Sequence, residues 1–255
     1  MAAYRTTGEG VGEIVFLEGH VSVRAALESR SRPIHRVLIA RNNTSKPAGR
    51  VVRLAAAAGI AVEKVAPEEI AALAAGKSHG GLLAETGPRV VVELAALAAG
   101  PNPFVVMLDG VEDPFNFGQA VRALYAAGAT GLVVRPRNWF TAAATVARAS
   151  AGASERIPTA VAAAPEEAAR VFHDHALAIA CTAHRGAQPM HACDFTQPLF
   201  LLIGGERRGV TRSFREQADL RVAIPYGREF RQSLGTAAAA AVIGFEVARQ
   251  RSELT

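Results

Sequence analysis

The sequence predicts an α/β protein: a doubly wound parallel sheet over residues 104–255, preceded by a smaller α/β domain over residues 13–86. Three observations predict it. Short, continuous apolar runs such as FVVML (Phe104–Leu108) and LFLLI (Leu199–Ile203) suit strands buried on both faces of a parallel sheet. Stretches of helical period lie between those runs. Turns bearing Gly or Pro follow several of the strands, at the sheet edge where open α/β folds hold their ligands.

Residues 1–12, rich in Gly and Thr, read as a flexible arm. Gly8, Gly10 and Gly12 do not make a phosphate loop, because no strand precedes them. From Glu18 a helix carries Val21, Val23, Ala26 and Leu27 on its apolar side. A strand at Arg36–Ala40, a helix around Arg50–Ala58 and a strand at Ala61–Val65 come next. Pro67 opens another helix with Glu68 and Glu69 in its first turn, and a strand at Leu82–Glu85 closes the small domain. Residues 87–103, bounded by prolines, read as a linker with one short alanine-rich helix. Beyond it, strands are expected at Phe104–Leu108, Leu132–Arg135, Ala176–Ala180, Leu199–Ile203 and Arg221–Ile224. Helices are expected at Gly118–Ala127, Thr141–Ala149, Glu166–His173, Thr211–Gln217 and from about Gln232 to Arg249.

Composition narrows the function. No apolar stretch approaches the ~20 residues that span a bilayer, and MAAYRTTGEGVGE lacks the apolar core of a signal peptide. A cytoplasmic protein with no membrane partner is expected. Cys181 and Cys193 are too few for a disulfide framework, and without CxxC spacing no metal is expected, although His184 and His191 lie near. The net charge of +5 is unevenly placed: residues 1–92 hold nine Arg and three Lys against eight acids. No acid separates Glu28 from Glu63, where Arg30, Arg32, Arg36, Arg41, Lys46, Arg50 and Arg53 all fall. Such a one-signed surface attracts polyanions and is a nucleic-acid footprint, although a solvated basic face with no partner has the same composition.

Three strand-end loops carry candidate chemistry. In MLDGVEDPFNFGQAVRALYAAG, Asn116 sits in the turn and Arg122 one turn into the helix, so both project near one strand end. Arginine offers a permanently charged fork suited to phosphate; an N-capped helix with a surface arginine reads the same way. In FLLIGGERRGV, Gly204 and Gly205 allow close backbone approach and Glu206 stands at the rim. In VAIPYGREFRQSLGTAAAAA, Ile224-Pro225 ends a strand, Ser233 sits where it could cap the last helix, and the alanines permit a tight helix contact.

In this order and spacing the three segments resemble the motifs of the SpoU/TrmH (SPOUT) family of methyltransferases, from Phe104 to the end of the chain. The N-terminal part resembles, more weakly, the ribosomal-protein-like RNA-binding domain of the subgroup that modifies 23S ribosomal RNA, through KSHGGLLAE (Lys77–Glu85). The resemblance implies a deep trefoil knot, a rare exception to the rule against threaded chains. It implies S-adenosylmethionine as cofactor, held by main-chain groups around Thr182, Gly204, Gly205, Ile224, Pro225 and Leu234. It implies a homodimer whose sites are completed by the partner chain, and methyl transfer to a ribose 2′-hydroxyl of structured RNA, with ribosomal RNA placed ahead of transfer RNA and neither excluded. Arg122 matches the family's motif arginine. A guanidinium hardly deprotonates, so an electrostatic task beside the developing oxyanion is expected of it. Asn116 would orient Arg122 or the ribose, Glu206 would fix the loop, and Ser233 would hydrogen-bond nearby. The basic residues from Arg30 to Arg53 named above would contact phosphates.

Two departures stand out. Gly235 occupies the place of an asparagine in the third motif, so Gln232 or Thr236 would have to substitute for the amide. Gly80 stands where the N-terminal motif commonly has glutamine. The alternative that Gly235 allows is a catalytically silent RNA-binding protein on the same scaffold. A third reading, a nucleotide-dependent oxidoreductase, lacks both a strand-linked GxGxxG and an acid ~20 residues beyond one.

Overall fold

A computed structural model of the chain describes residues 14–136, 142–184, 186–205 and 207–252. Its first elements are β1 (Val15–Glu18), α1 (Gly19–Ser29), β2 (Ile34–Ala40), α2 (Lys46–Ala57), β3 (Ala61–Val65), α3 (Pro67–Leu73) and β4 (Leu82–Thr86). Then come α4 (Leu94–Leu97), β5 (Phe104–Asp109), α5 (Pro114–Ala126), β6 (Gly131–Val134), α6 (Ala143–Ala149), α7 (Ala153–Arg156) and β7 (Thr159–Val161). The last are α8 (Pro165–Asp174), β8 (Ala178–Thr182), β9 (Gln188–Pro189), β10 (Leu199–Gly204), α9 (Arg212–Gln217), β11 (Leu220–Ala223) and α10 (Thr236–Ser252). The chain divides into two compact units; among the described residues one comprises 14–90 and 142–156, the other 91–136 and 157–252.

The first unit carries a sheet in the order β1-β4-β2-β3, with β4 antiparallel to β1 and β2, and β3 parallel to β2. Helix α2 begins where Ser45 Oγ accepts from the Ala48 amide and Pro47 presets the first turn. Its Ala48, Val51 and Ala55 face a core shared with Leu17, Val37, Ile39 and Leu82. Lys46, Arg50 and Arg53, at i, i+4 and i+7, make the exposed stripe of the same helix.

Helices α6 and α7 belong to this unit, although local sequence pattern groups them with the C-terminal half. Ala147 of α6 joins the core just described. Glu155 of α7 is 2% exposed and accepts from Ser31 Oγ (2.6 Å), Arg32 Nε (2.9 Å) and Arg89 Nη1 (3.1 Å). Gly152 has φ +80°, and a Cβ there would lie 2.7 Å from that of Ala25 in α1. Only glycine combines that dihedral with that approach.

The second unit is built on an all-parallel sheet in the order β7-β6-β5-β10-β8-β11-β9. Helix α4 and the residues before it are packed rather than free. The Val92 amide donates to Thr159 O at 2.9 Å, and Leu97 enters the core with Val105, Val133 and Phe200. Strand β8 starts two residues later than the sequence suggests, because Ala176 adopts a left-handed turn at φ +61°. Helix α10 also starts late, at Thr236: the Gly235 carbonyl accepts its first bond, from the Ala239 amide at 3.0 Å. Ser233 therefore lies ahead of the helix and does not cap it. Cys181 is a core residue whose burial pushes its thiol up to about 11, which keeps it protonated.

Candidate active site

Parallel strands end together, so the loops after β5, β8, β10 and β11 converge at one edge of the second unit. Those after β8, β10 and β11 line a cavity of about 340 Å³, within the range of small-molecule sites. Thr182 and His184 contribute from the β8 end, Gly204 and Gly205 from the β10 end, and Ile224, Tyr226, Ser233 and Leu234 from the segment after β11. Ile203, Val222 and Ile243 supply apolar wall, and Arg207, Arg208 and Arg215 supply positive charge.

The paired glycines have a definite task. A Cβ on Gly205 would sit 1.9 Å from the Gly110 carbonyl oxygen, and one on Gly204 would sit 2.4 Å from the Gly209 carbonyl carbon. They thus let three stretches of backbone meet, which leaves the cavity floor made of main chain. The Gly205 amide donates to Asp109 O at 2.6 Å, and the Gly204 amide to Thr182 Oγ1 at 3.3 Å, tying β10 to both neighbours. Asp109 is itself gripped by Arg135, and that hydrogen bond raises the Arg135 pKa.

The wall after β11 is fastened by a residue that motif reading missed. The Tyr226 hydroxyl accepts from the Leu234 amide at 3.0 Å and donates to Gln232 O at 3.3 Å. Ser233, between those two anchors, places its Oγ 3.0 Å from His184 Nε2. Neither Tyr226 nor His184 had a signal of its own, because each acquires a role only once β8 and β11 are neighbours.

A second cavity of about 190 Å³ adjoins the first through shared walls at Arg207 and Thr236, and is lined by Gly110, Glu112, Asp113 and Asn116. Thr236 is the residue after Gly235 and lines both cavities, whereas Gln232 is exposed and lines neither. Of the expected cofactor-holding positions, Thr182, Gly204, Gly205, Ile224 and Leu234 line the larger cavity; Pro225 is exposed and does not. Asn116 reaches the smaller cavity, and Glu206 lies outside the described residues. Arg122 is exposed on α5 and lines neither cavity.

Among the basic candidates of the first unit, Arg32 is not available to phosphate, being 4% exposed and bound to Glu155. Arg36 is committed to Glu85 (2.7 Å) and Glu63 (2.9 Å). Arg30, Arg41, Lys46, Arg50 and Arg53 are exposed.

Residues 103–245 match the SpoU rRNA methylase family, more than half of the chain. The chain belongs to that family. Residues 16–89 match a second family, described as RNA 2′-O ribose methyltransferase substrate binding. The 23S rRNA (guanosine-2′-O-)-methyltransferase RlmB of Ralstonia nicotianae is 29% identical over 92% of this chain and 96% of its own. The SpoU methyltransferase AviRb of Streptomyces viridochromogenes, solved with S-adenosylmethionine, has a TM-score of 0.79 at 24% identity, covering 94% of this chain and 91% of its own. An rRNA methyltransferase of Sinorhizobium meliloti, also solved with that cofactor, gives 0.78 at 24%, covering 92% and 87%. At these identities the solved structures speak for the fold. This SpoU member is an S-adenosylmethionine-dependent enzyme that methylates a ribose 2′-hydroxyl of RNA.

The cavity suits that cofactor. Its floor is main chain that no side chain could replace, its walls offer apolar surface for a base, and its three arginines offer charge for a carboxylate.

Proposed function

We propose that the substrate is ribosomal RNA, that the N-terminal unit grips it through α2, and that two subunits complete each active site. What carries this reading is the convergence of Gly204, Gly205, Ser233 and Leu234 on one cavity adjoining a second that holds Asn116. The RlmB relative, described as acting on 23S rRNA, supports the substrate class. A cytoplasmic location and a threaded, trefoil C-terminal segment belong to the same reading.

When bound, S-adenosylmethionine supplies a methyl group already activated by its sulfonium. The protein must align the ribose oxygen with it and stabilise the charge that grows on that oxygen. Asn116 orients the ribose from the smaller cavity, and Ser233 meets the hydroxyl from the larger one. Arg122 supplies positive charge. Because it is exposed and outside both cavities of its own subunit, we assign it to the partner's site. Thr236, lining both cavities, takes the place of the motif asparagine, which weighs against a silent scaffold.

Mapping ribose methylation in cells lacking and then regaining the protein identifies the modified nucleotide; an unchanged ribosomal RNA map would overturn the substrate class. Arg122→Ala is expected to abolish transfer while leaving cofactor affinity within about twofold by calorimetry, as befits a group acting on the forming oxyanion. Loss of both together would refute that division of labour.

A further inference from the structure

A 2′-hydroxyl that accepts a methyl group must shed its proton, and Arg122 is no acceptor, because a guanidinium stays protonated. The described residues of the larger cavity include no carboxylate. The two carboxylates of the smaller cavity are engaged: Asp113 caps α5 by accepting from the Phe115 amide at 2.9 Å, and Glu112 pairs with Arg207 at 3.0 Å. Among the described residues, one imidazole stands on the wall, His184, with Nε2 3.0 Å from Ser233 Oγ.

We propose that His184 is the proton acceptor of the transfer, working through Ser233. The inference rests on the site reading above, in which Ser233 meets the ribose hydroxyl. As the ribose oxygen bonds to the methyl carbon, the sulfonium S–C bond breaks and sulfur keeps its electron pair. The hydroxyl proton passes to Ser233 Oγ while the serine proton passes to His184 Nε2. The products are the methylated ribose, S-adenosylhomocysteine and an imidazolium, and the exposed ring returns its proton to solvent.

The geometry is prepared for this. Ser233 and His184 stand 49 residues apart in the chain, on the segments that follow two paired strands, β11 and β8. The Tyr226 hydroxyl binds the main chain on each side of Ser233, at Gln232 and Leu234, so the serine is held against the ring. Among the described residues, the other charged and titratable groups lining the cavity are Arg207, Arg208, Arg215 and Tyr226. The arginines carry fixed charge, so of the described groups on this wall the imidazole is the one built to take up and release a proton.

The test uses the full-length protein with S-adenosylmethionine and its RNA, comparing wild type with His184→Gln and His184→Asn. For the wild type, kcat is expected to fall on the acid side of its pH profile as the base becomes protonated. Both variants should lose about 10²–10⁴-fold in kcat, the usual share of a general base. They should also lose that acid limb and keep cofactor affinity within about twofold by calorimetry. Independently of turnover, the NMR titration of the His184 ring is expected to move in Ser233→Ala. A kcat within threefold of wild type, or an acid limb surviving in both variants, overturns the proposal. So does loss of cofactor affinity in step with activity, which would make His184 a wall residue. Failure of the wild type to bind S-adenosylmethionine would instead overturn the site reading beneath it.

Discussion

Glu155 is a buried carboxylate serving two guanidinium groups that are themselves 4% and 10% exposed. Burial alone would raise its pKa. The charges of Arg89 and Arg32, with hydrogen bonds from Arg32 and Ser31, outweigh that and lower it. A carboxyl lowered in the folded state adds stability that is present above the ordinary carboxylate range and lost as pH falls through its folded value. Glu155→Gln leaves both arginines buried without a counter-charge, which costs on the order of 3–5 kcal/mol. Denaturant melts should show that loss at neutral pH, together with a flatter acid limb of stability. A change below about 1 kcal/mol would mean that water reaches the cluster, and would sink the argument. Counting charges along the sequence put Arg32 on the RNA-binding face, because the acid that claims it lies 123 residues away.

Helix α2 was legible from local signals: Ser45 and Pro47 mark its start, and its apolar period marks its buried side. Helix α6 was legible as a helix but not as part of the first unit, since a short stripe of Ala and Val fits any apolar surface. The candidate site divides in the same way. Gly204, Gly205 and Ser233 announce themselves within their own loops, whereas His184 and Tyr226 depend on β8 lying beside β11, with Ala180 opposite Leu220. The exposed side of α2 yields a prediction at this scale. Lys46→Ala, Arg50→Ala and Arg53→Ala together should weaken binding of RNA about equally for unrelated sequences. They should also reduce the slope of log affinity against log salt by about 2–3, close to one for each phosphate no longer neutralised. Filter binding across a salt series measures both, and an unchanged slope would remove α2 from the RNA interface.

The second unit leaves apolar surface uncovered along two packed helices. Phe115 and Tyr125 of α5 are 50% and 39% exposed, Val242 and Phe245 of α10 are 36% and 54%, and α5 and α10 pack against each other. Exposed apolar side chains on two neighbouring helices are what the proposed dimer would cover, and an interface of this kind between identical subunits is twofold. Arg122 stands on the same exposed side of α5 as Phe115, with Gln119 between them at helical spacing. In the proposed dimer this face would be the interface, and the assignment of Arg122 to the partner's site requires each Arg122 to cross it. Subunit mixing tests the direction of that crossing. Gly205→Ala closes the cavity of one subunit, because its Cβ meets the Gly110 carbonyl at 1.9 Å, and Arg122→Ala removes the charge from the other. Each homodimer should be inactive. If the arginine acts in trans, a mixed dimer joins an intact Arg122 to an intact cavity at one of its two sites, so full exchange restores about a quarter of wild-type activity. If it acts in cis, both sites of the mixed dimer carry a lesion and the mixture stays silent. Phe245→Asp, which plants a charge in the apolar stripe, should yield monomers in sedimentation and abolish transfer without abolishing cofactor binding.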